Sequence, residues 1–409
     1  MSTRWPPAAC ARCSRVRWRR NGSWDRPRIS GSETEAGRFR RSLLLGAGAL
    51  GQGARGRPRT TKCPRAKTSA RGHPAALHPR LPVDGEAIAG SPRTAEARGG
   101  FDLSDHTILA EGLHFPEGPV ACSDGSVLLV EIQRRTITKV AAGGAVSIVA
   151  ELDGGPNGLA VGPDDCLYIC NNGGFLFQEI EGLNRVKPGV PEGYAGGWIE
   201  RLDPTTGERK VLYTHCGEHR LVGPNDLVFD RLGGFYFTDF GKLYPRHRMN
   251  GGLYYALADG SRIVEVAYPL LMPNGVGLSP DGGTVYVAET EGGRLWAFDL
   301  REPGLAPRHS NLAPHGGRLV CGLPGHQRLD SLAVDAAGNI HVATLSTGCI
   351  TVISPAGAML EQIMTGDPMT TNVCFGGPDR RTAYATLSGR GQLIAMASNY
   401  TGLALAWEV

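Results

Sequence analysis

The sequence predicts an all-β fold, a six-bladed β-propeller preceded by a basic N-terminal extension. Three observations predict it. Six copies of one short pattern follow residue 101, their spacing is close to one four-stranded blade, and 58 glycines in 409 residues mark a chain built of short strands and tight turns. The apolar fraction is 41% and the charged fraction 20%, the range of a soluble globular domain.

Residues 1–100 form the first region, with 21 Lys+Arg against 6 Asp+Glu and no sustained helical or alternating pattern. Such a segment buries too little apolar surface to offset the entropy of ordering, so it is expected to be disordered. Within it, GAGALG at 46–51 has the glycine spacing of a dinucleotide loop, but the following GQGARGRPRT cannot form the helix that would hold a pyrophosphate. RFRRSLLLGAGALG joins a twin arginine to a short apolar run, as at the start of an export signal, although it lies about forty residues into the chain. The propeller is therefore expected in the cytoplasm, with periplasmic or secreted placement through a twin-arginine signal as the alternative. Cys10-x-x-Cys13 lacks a second pair and is a weak zinc signal. No apolar run approaches the ~18 residues of a membrane span, so no membrane association is expected.

Residues 101–409 are the second region and carry the opposite charge, 22 basic against 33 acidic residues. This acidity argues against a nucleic-acid surface and suits a cation site. Cys166 and Cys170 lie an even number of positions apart in a strand-like run, and are read as buried reduced thiols on one face.

The six copies are FPEGPVACSDGSVLLVEI (115–132), GPNGLAVGPDDCLYICNN (155–172), GPNDLVFDRLGGFYFTDF (223–240), MPNGVGLSPDGGTVYVAET (272–290), RLDSLAVDAAGNIHVATL (328–345) and MTTNVCFGGPDRRTAYATL (369–387). Each reads as a loop, a polar residue, a short apolar strand, an Asp/Gly turn and a second apolar strand, the turn residues supplying positive φ and local hydrogen bonds. The segments TITKV, GWIERLDP, GLYYALADG, RLWAFDL and CITVISPAG are candidates for the outer strands.

The polar positions are Glu117, Asn157, Asn225, Asn274, Asp330 and Asn372, separated by 40, 68, 49, 56 and 42 residues. The first strand of a propeller blade lines the central channel, so a residue just ahead of it is expected at the channel mouth. Pseudosymmetry then gathers the six at the axis, and the Pro ahead of four of them fixes the approach. Glu117, Asn225, Asn274 and Asp330 offer two carboxylates and two amide carbonyls. Calcium, magnesium or manganese prefers such hard oxygen donors, and the two negative charges balance a divalent ion. None of the six is His or Cys, which argues against zinc held by those ligands but not against zinc held by oxygens. The plain alternative is that Asn and Asp merely cap turns; a cap has no need to become Glu in one copy and Asp in another.

FPEGP, PND, PNG-x-x-LSPDG, DS-x-A-VD-x-x-GN and TNV-x-FGGPD resemble the senescence marker protein/gluconolactonase/luciferin-regenerating-enzyme family of six-bladed propellers, over about residues 105–392. The resemblance implies one divalent metal in the central channel, calcium first with zinc, magnesium or manganese as alternatives, held by Glu117, Asn225, Asn274 and Asp330. It makes Asp330 also the catalytic proton acceptor, with Asn157 and Asn372, in the equivalent slots of the remaining blades, touching substrate or a metal-bound water. The implied reaction is opening of a lactone, a sugar lactone as in gluconolactonase, by a monomer. Where sugar-lactonase members carry an Arg close before the third-motif Asn, this chain has Gly223 and Pro224, with Arg220 further away, which puts contacts to a hydroxylated or acidic substrate in doubt.

Specificity is expected in GGFLFQEIEGLNRVKPGVPEGYAGG and FGKLYPRHRMNGG, which supply Phe175, Phe177, Tyr194, Tyr244, Arg246 and His247; Tyr244 and Arg246 are the substrate-binding candidates. These loops equally suit closure of a blade edge. His114 beside FPEGP is read as a framework residue. The rival readings are a phosphotriesterase or other ester hydrolase on the same metal, a non-enzymatic calcium-binding or protein-interaction propeller, and, on fold alone, a strictosidine-synthase-like relative, whose chemistry does not call for this ligand set.

Overall fold

A computed structural model describes residues 105–408. The disorder, GAGALG, twin-arginine and Cys10/Cys13 readings all fall outside the described residues. What is described is all-β, with no helix.

Six four-stranded antiparallel sheets form the blades. Their inner strands are Pro116–Ala121, Pro156–Val161, Pro224–Phe229, Pro273–Leu278, Arg328–Val334 and Thr370–Gly376. Each neighbours the next and the last neighbours the first, so the ring is closed. The expected outer segments are the third strands: Thr136–Val140, Trp198–Leu202, Gly251–Leu257, Arg294–Asp299 and Cys349–Ile353. The outermost strands, such as Val146–Glu151, face solvent on one side. In blade 6 that place is taken from the other end of the domain: His106–Ala110 pairs antiparallel with Gln392–Ala397. This satisfies an edge that would otherwise offer unpaired backbone groups.

Burial follows the blade order. Second and third strands are apolar on both faces because a neighbouring blade covers each, as in Ile340–Leu345 and Cys349–Ile353, every residue of which is buried. Between blades 2 and 3 the filling is aromatic, with Tyr168, Phe229 and Phe235 in mutual contact at centroid distances of 5.0 to 5.9 Å. Cys166 and Cys170 are buried free thiols in this layer. The turns between first and second strands have the expected left-handed residues; blades 2 and 6 place Asp165 (φ 58°) and Arg380 (φ 55°) there instead of Gly.

One expectation needs correction. The polar residues do not precede the inner strands but lie inside them, at the second or third position. At this point every inner strand slips register against its second strand, between Glu117 and Val120 in blade 1 and between Leu329 and Leu332 in blade 5, for example. Such an irregularity leaves a residue outside the ladder and re-aims its side chain. Four of the strands open with Pro, which has no N–H to lose at a first position.

Candidate metal and active site at the channel mouth

Glu117, Asn157, Asn225, Asn274, Asp330 and Asn372 are each 4–6% exposed and come from six adjacent inner strands. Bonds across blades link them. Asn372 Nδ2 donates to Glu117 Oε2 at 2.9 Å, joining blade 6 to blade 1, and Ser331 Oγ, beside Asp330, donates to Asn274 Oδ1 at 3.2 Å. Among the described residues, the side chains of Asn157 and Asn225 make no hydrogen bond within the protein, although neither is sealed from solvent.

Hydroxyls of one blade hold the backbone of the next where these residues enter. Ser388 Oγ donates to Pro116 O at 2.6 Å, Thr238 Oγ1 to Asn274 O at 2.5 Å and Thr290 Oγ1 to Leu329 O at 2.6 Å. A second set works within blades 1 to 4: the last residue of the second strand accepts N–H groups from the loop leading to the inner strand. Glu131 takes His114 N, Asn171 takes Gly155 N, Asp239 takes Val222 N and Gly223 N, and Glu289 takes Leu271 N, at 2.6 to 2.8 Å. Sequence reasoning missed this set, although its signal stands in the copies as VE, CN, TD and AE. Just before Pro116 and Pro273, Phe115 and Met272 adopt positive φ (59° and 57°) while buried, so the approach in blades 1 and 4 is strained.

The electrostatics are dominated by desolvation. Burial pushes the Glu117 carboxyl up to about 7, against the hydrogen bonds from Asn372, Gly118 N–H and Thr371. Asp330 is raised well above the usual carboxylate range by burial and then by the charge of Glu117, with Arg328 pulling it back. A third carboxyl belongs here that sequence reasoning passed over, although it stands beside Asn225 in PND. Asp226 is pushed up to about 7 by burial and by Glu117, and it accepts Leu227 N at 2.9 Å. Neither Glu117 nor Asp330 has a salt-bridge partner among the described residues. Buried unpaired carboxylates either hold protons or take up a cation. Among the described residues no three His, Cys, Asp or Glu side chains cluster as metal ligands, so a cation here would have to rely on amide oxygens as well as on Glu117 and Asp330. This oxygen-only donor set fits a hard divalent ion.

Below the ring the channel becomes apolar, a cavity of about 420 Å³ lined by residues such as Val120, Leu159, Leu227 and Val276. The C-terminal segment crosses its far end, where Leu403 N donates to Val334 O at 3.1 Å and Trp407 Nε1 to Asp230 O at 3.3 Å.

Above the ring, the blade 2 insertion is a hairpin, Leu176–Ile180 with Leu183–Lys187, rather than an open loop. It extends over its neighbours: Phe177 packs on Phe115 of blade 1 at 5.1 Å, Asn184 N donates to Gly389 O of blade 6 at 2.9 Å, and Gly189 N to Leu243 O of blade 3 at 2.8 Å. Phe175, Phe177 and Tyr194 are thereby engaged in anchoring it. Tyr244 and Arg246 lie outside the ring, in the segment 243–248 that joins the second and third strands of blade 3. Tyr244 stacks on His247 at 4.5 Å, and Arg246 is exposed at the turn. His114 is exposed, its backbone N–H held by Glu131.

Comparisons with known proteins agree with this architecture. Lactonase drp35 of Staphylococcus saprophyticus is 28% identical over 317 residues, covering 77% of this chain and 86% of the relative. Gluconolactonase of Zymomonas mobilis is 27% identical over 297 residues, covering 66% and 75%. Two solved structures share the fold: a gluconolactonase of Xanthomonas campestris (TM-score 0.56, 22% identity, 73% of this chain and 91% of that one), and a calcium-binding regucalcin of Agrobacterium tumefaciens (0.56, 19%, 73% and 95%). The model of the SMP-30/gluconolactonase/LRE-like region matches residues 115–389, from the residue ahead of Pro116 in blade 1 to the end of the second strand of blade 6. With its six mouth residues inside that span, the chain belongs to the SMP-30/gluconolactonase/LRE-like family.

Proposed function

We propose that this protein hydrolyses a lactone, a sugar lactone in the first instance, at the channel mouth with the aid of one bound divalent cation. Two buried carboxylates without a salt-bridge partner, Glu117 and Asp330, ringed by four asparagines, carry this reading. The lactonase and gluconolactonase relatives support the reaction class. Glu117, Asn225, Asn274 and Asp330 would hold the cation, calcium first. When bound it supplies positive charge that polarises the lactone carbonyl.

The chain's own groups do the rest. Asp330 takes a proton from the attacking water through a carboxylate oxygen, and returns it to the ring oxygen as the alkoxide leaves. The amide of Asn157, free of protein partners, and that of Asn372, whose Nδ2 also donates to Glu117, orient the substrate. The apolar channel below and the hairpin above restrict the water that reaches the site.

The test is acid release from D-glucono-1,5-lactone by the purified protein, before and after EDTA and with calcium, manganese or zinc restored. Activity lost on chelation and regained with metal is expected, with Asp330→Asn lowering kcat by roughly a hundredfold or more. Turnover that survives both treatments overturns the mechanism.

A further inference from the structure

Lys242 follows the second strand of blade 3 and is 1% exposed, an unusual burial for a lysine. Its Nζ donates to Gly174 O at 2.8 Å, and lies 4.2 Å from the ring centre of Phe175 and 5.1 Å from that of Tyr194. All three partners belong to the blade 2 insertion. Asp239 is the nearby opposite charge, but its oxygens are spent on the N–H groups of Val222, Gly223 and Gly241. The ammonium is therefore held by one carbonyl and two aromatic faces rather than by an ion pair.

The partners of those groups reach the mouth. Gly174 N donates to Asn172 Oδ1 at 2.7 Å, and Asn172 N donates to Gly155 O at 2.8 Å, one residue ahead of Pro156 and Asn157. On the other side Tyr194 Oη donates to Val222 O at 2.5 Å, in the approach to Pro224 and Asn225. Lys242 thus sits between the approaches to the two mouth asparagines whose amides make no protein hydrogen bond, and under the base of the hairpin that roofs them.

We propose that Lys242 is a positioning residue, a buried cationic anchor that docks the blade 2 hairpin over the mouth and fixes the approaches to Asn157 and Asn225. Burial pushes its ammonium down to about 7, partly offset by Asp239, so the desolvation is only partly repaid and the direct contacts that remain, Gly174 O and the two rings, all come from the insertion. The substrate consequence rests on the lactonase reading; the docking consequence does not.

Two measurements on the full-length protein separate them. Trypsin has one target in the hairpin, the half-buried Arg185, because Pro188 protects the bond after Lys187. Under native conditions Lys242→Met should speed cleavage after Arg185 by roughly tenfold, the loss of a desolvated cation–π and hydrogen-bonded contact, with cutting elsewhere unchanged. On glucono-1,5-lactone at saturating calcium, which keeps the site of the ligand Asn225 filled, the same variant should raise KM severalfold and leave kcat within about twofold, as expected when substrate positioning by Asn157 is loosened but the proton acceptor is not. Phe175→Leu, which deletes one aromatic face and no charge, should move both readouts the same way by a smaller factor, and decides the matter if Lys242→Met does not fold. Hairpin cleavage at the wild-type rate in the folded variants, or acceleration equal at all sites, overturns the proposal. If wild-type protein turns over no lactone, the lactonase reading fails while the trypsin result still decides the anchor.

Discussion

Glu117 shows how a candidate site residue is carried at a stability cost. Its carboxyl has an ordinary value of 4.5 and is raised to about 7 in the folded chain. A folded pKa above the unfolded one means that the stability contribution is fully present below pH 4.5 and is lost as pH rises through about 7. Metal-free protein should therefore lose stability across this window, by at most about 3 kcal/mol from this group, and added cation should restore it. Glu117→Gln keeps the shape and an acceptor for Asn372 Nδ2. In EDTA at pH 8 its Tm should exceed that of the wild type by several degrees, with the gap closing near pH 5 and cation no longer raising it. Thermal scans at the two pH values check this; a variant less stable than wild type at pH 8 would show that Glu117 is compensated by other means.

The inner strands work as elements because two devices act on them together. The register slip turns one side chain out of the ladder toward the axis, and hydroxyls of the neighbouring blade fix the carbonyl next to it. Thr290→Val tests the second device: it is close to isosteric but leaves Leu329 O without its donor, one residue before Asp330. We expect a loss of about 1–3 kcal/mol in urea unfolding and a fall in kcat larger than any change in KM. Unchanged kcat would show that Asp330 is positioned by its own strand alone. The blade 2 hairpin is the other informative element. GFLFQEIEGLNRVK shows weak alternation and reads as a loop in isolation, because its apolar side chains pack on other blades and not on each other.

For the whole molecule, the ring depends on a closure that joins the two ends of the domain. A chain beginning at residue 105 retains His106–Ala110; one beginning at residue 113 leaves Gln392–Ala397 as an open edge. The longer chain should unfold in one cooperative step, and the shorter should be far less soluble or melt at a temperature lower by ten degrees or more. Equal melting of the two would mean that the fold is closed elsewhere. The domain's acidity also belongs to this scale: an excess of 11 negative charges over residues 101–409 would favour capture of the proposed cation at the mouth through the summed field, beyond the proposed ligands themselves.

Blade number, channel-lining strands and the six mouth residues were all legible in the linear chain, because a blade is a local unit of forty-odd residues whose strand alternation and turn chemistry repeat. Glu117, Asn225 and Asp330 could be named without coordinates for that reason. The slip that aims them, the hydroxyls reaching from the next blade, the carboxyl of Asp226 and the buried ammonium of Lys242 were not. Each depends on groups far apart in sequence, such as Ser388 with Pro116 or Lys242 with Gly174, brought together only when the ring closes. Periodicity reports which face of a strand is apolar, whereas burial, which moves the pKa values and gives single hydrogen bonds their weight, arises from the packing of one blade on another.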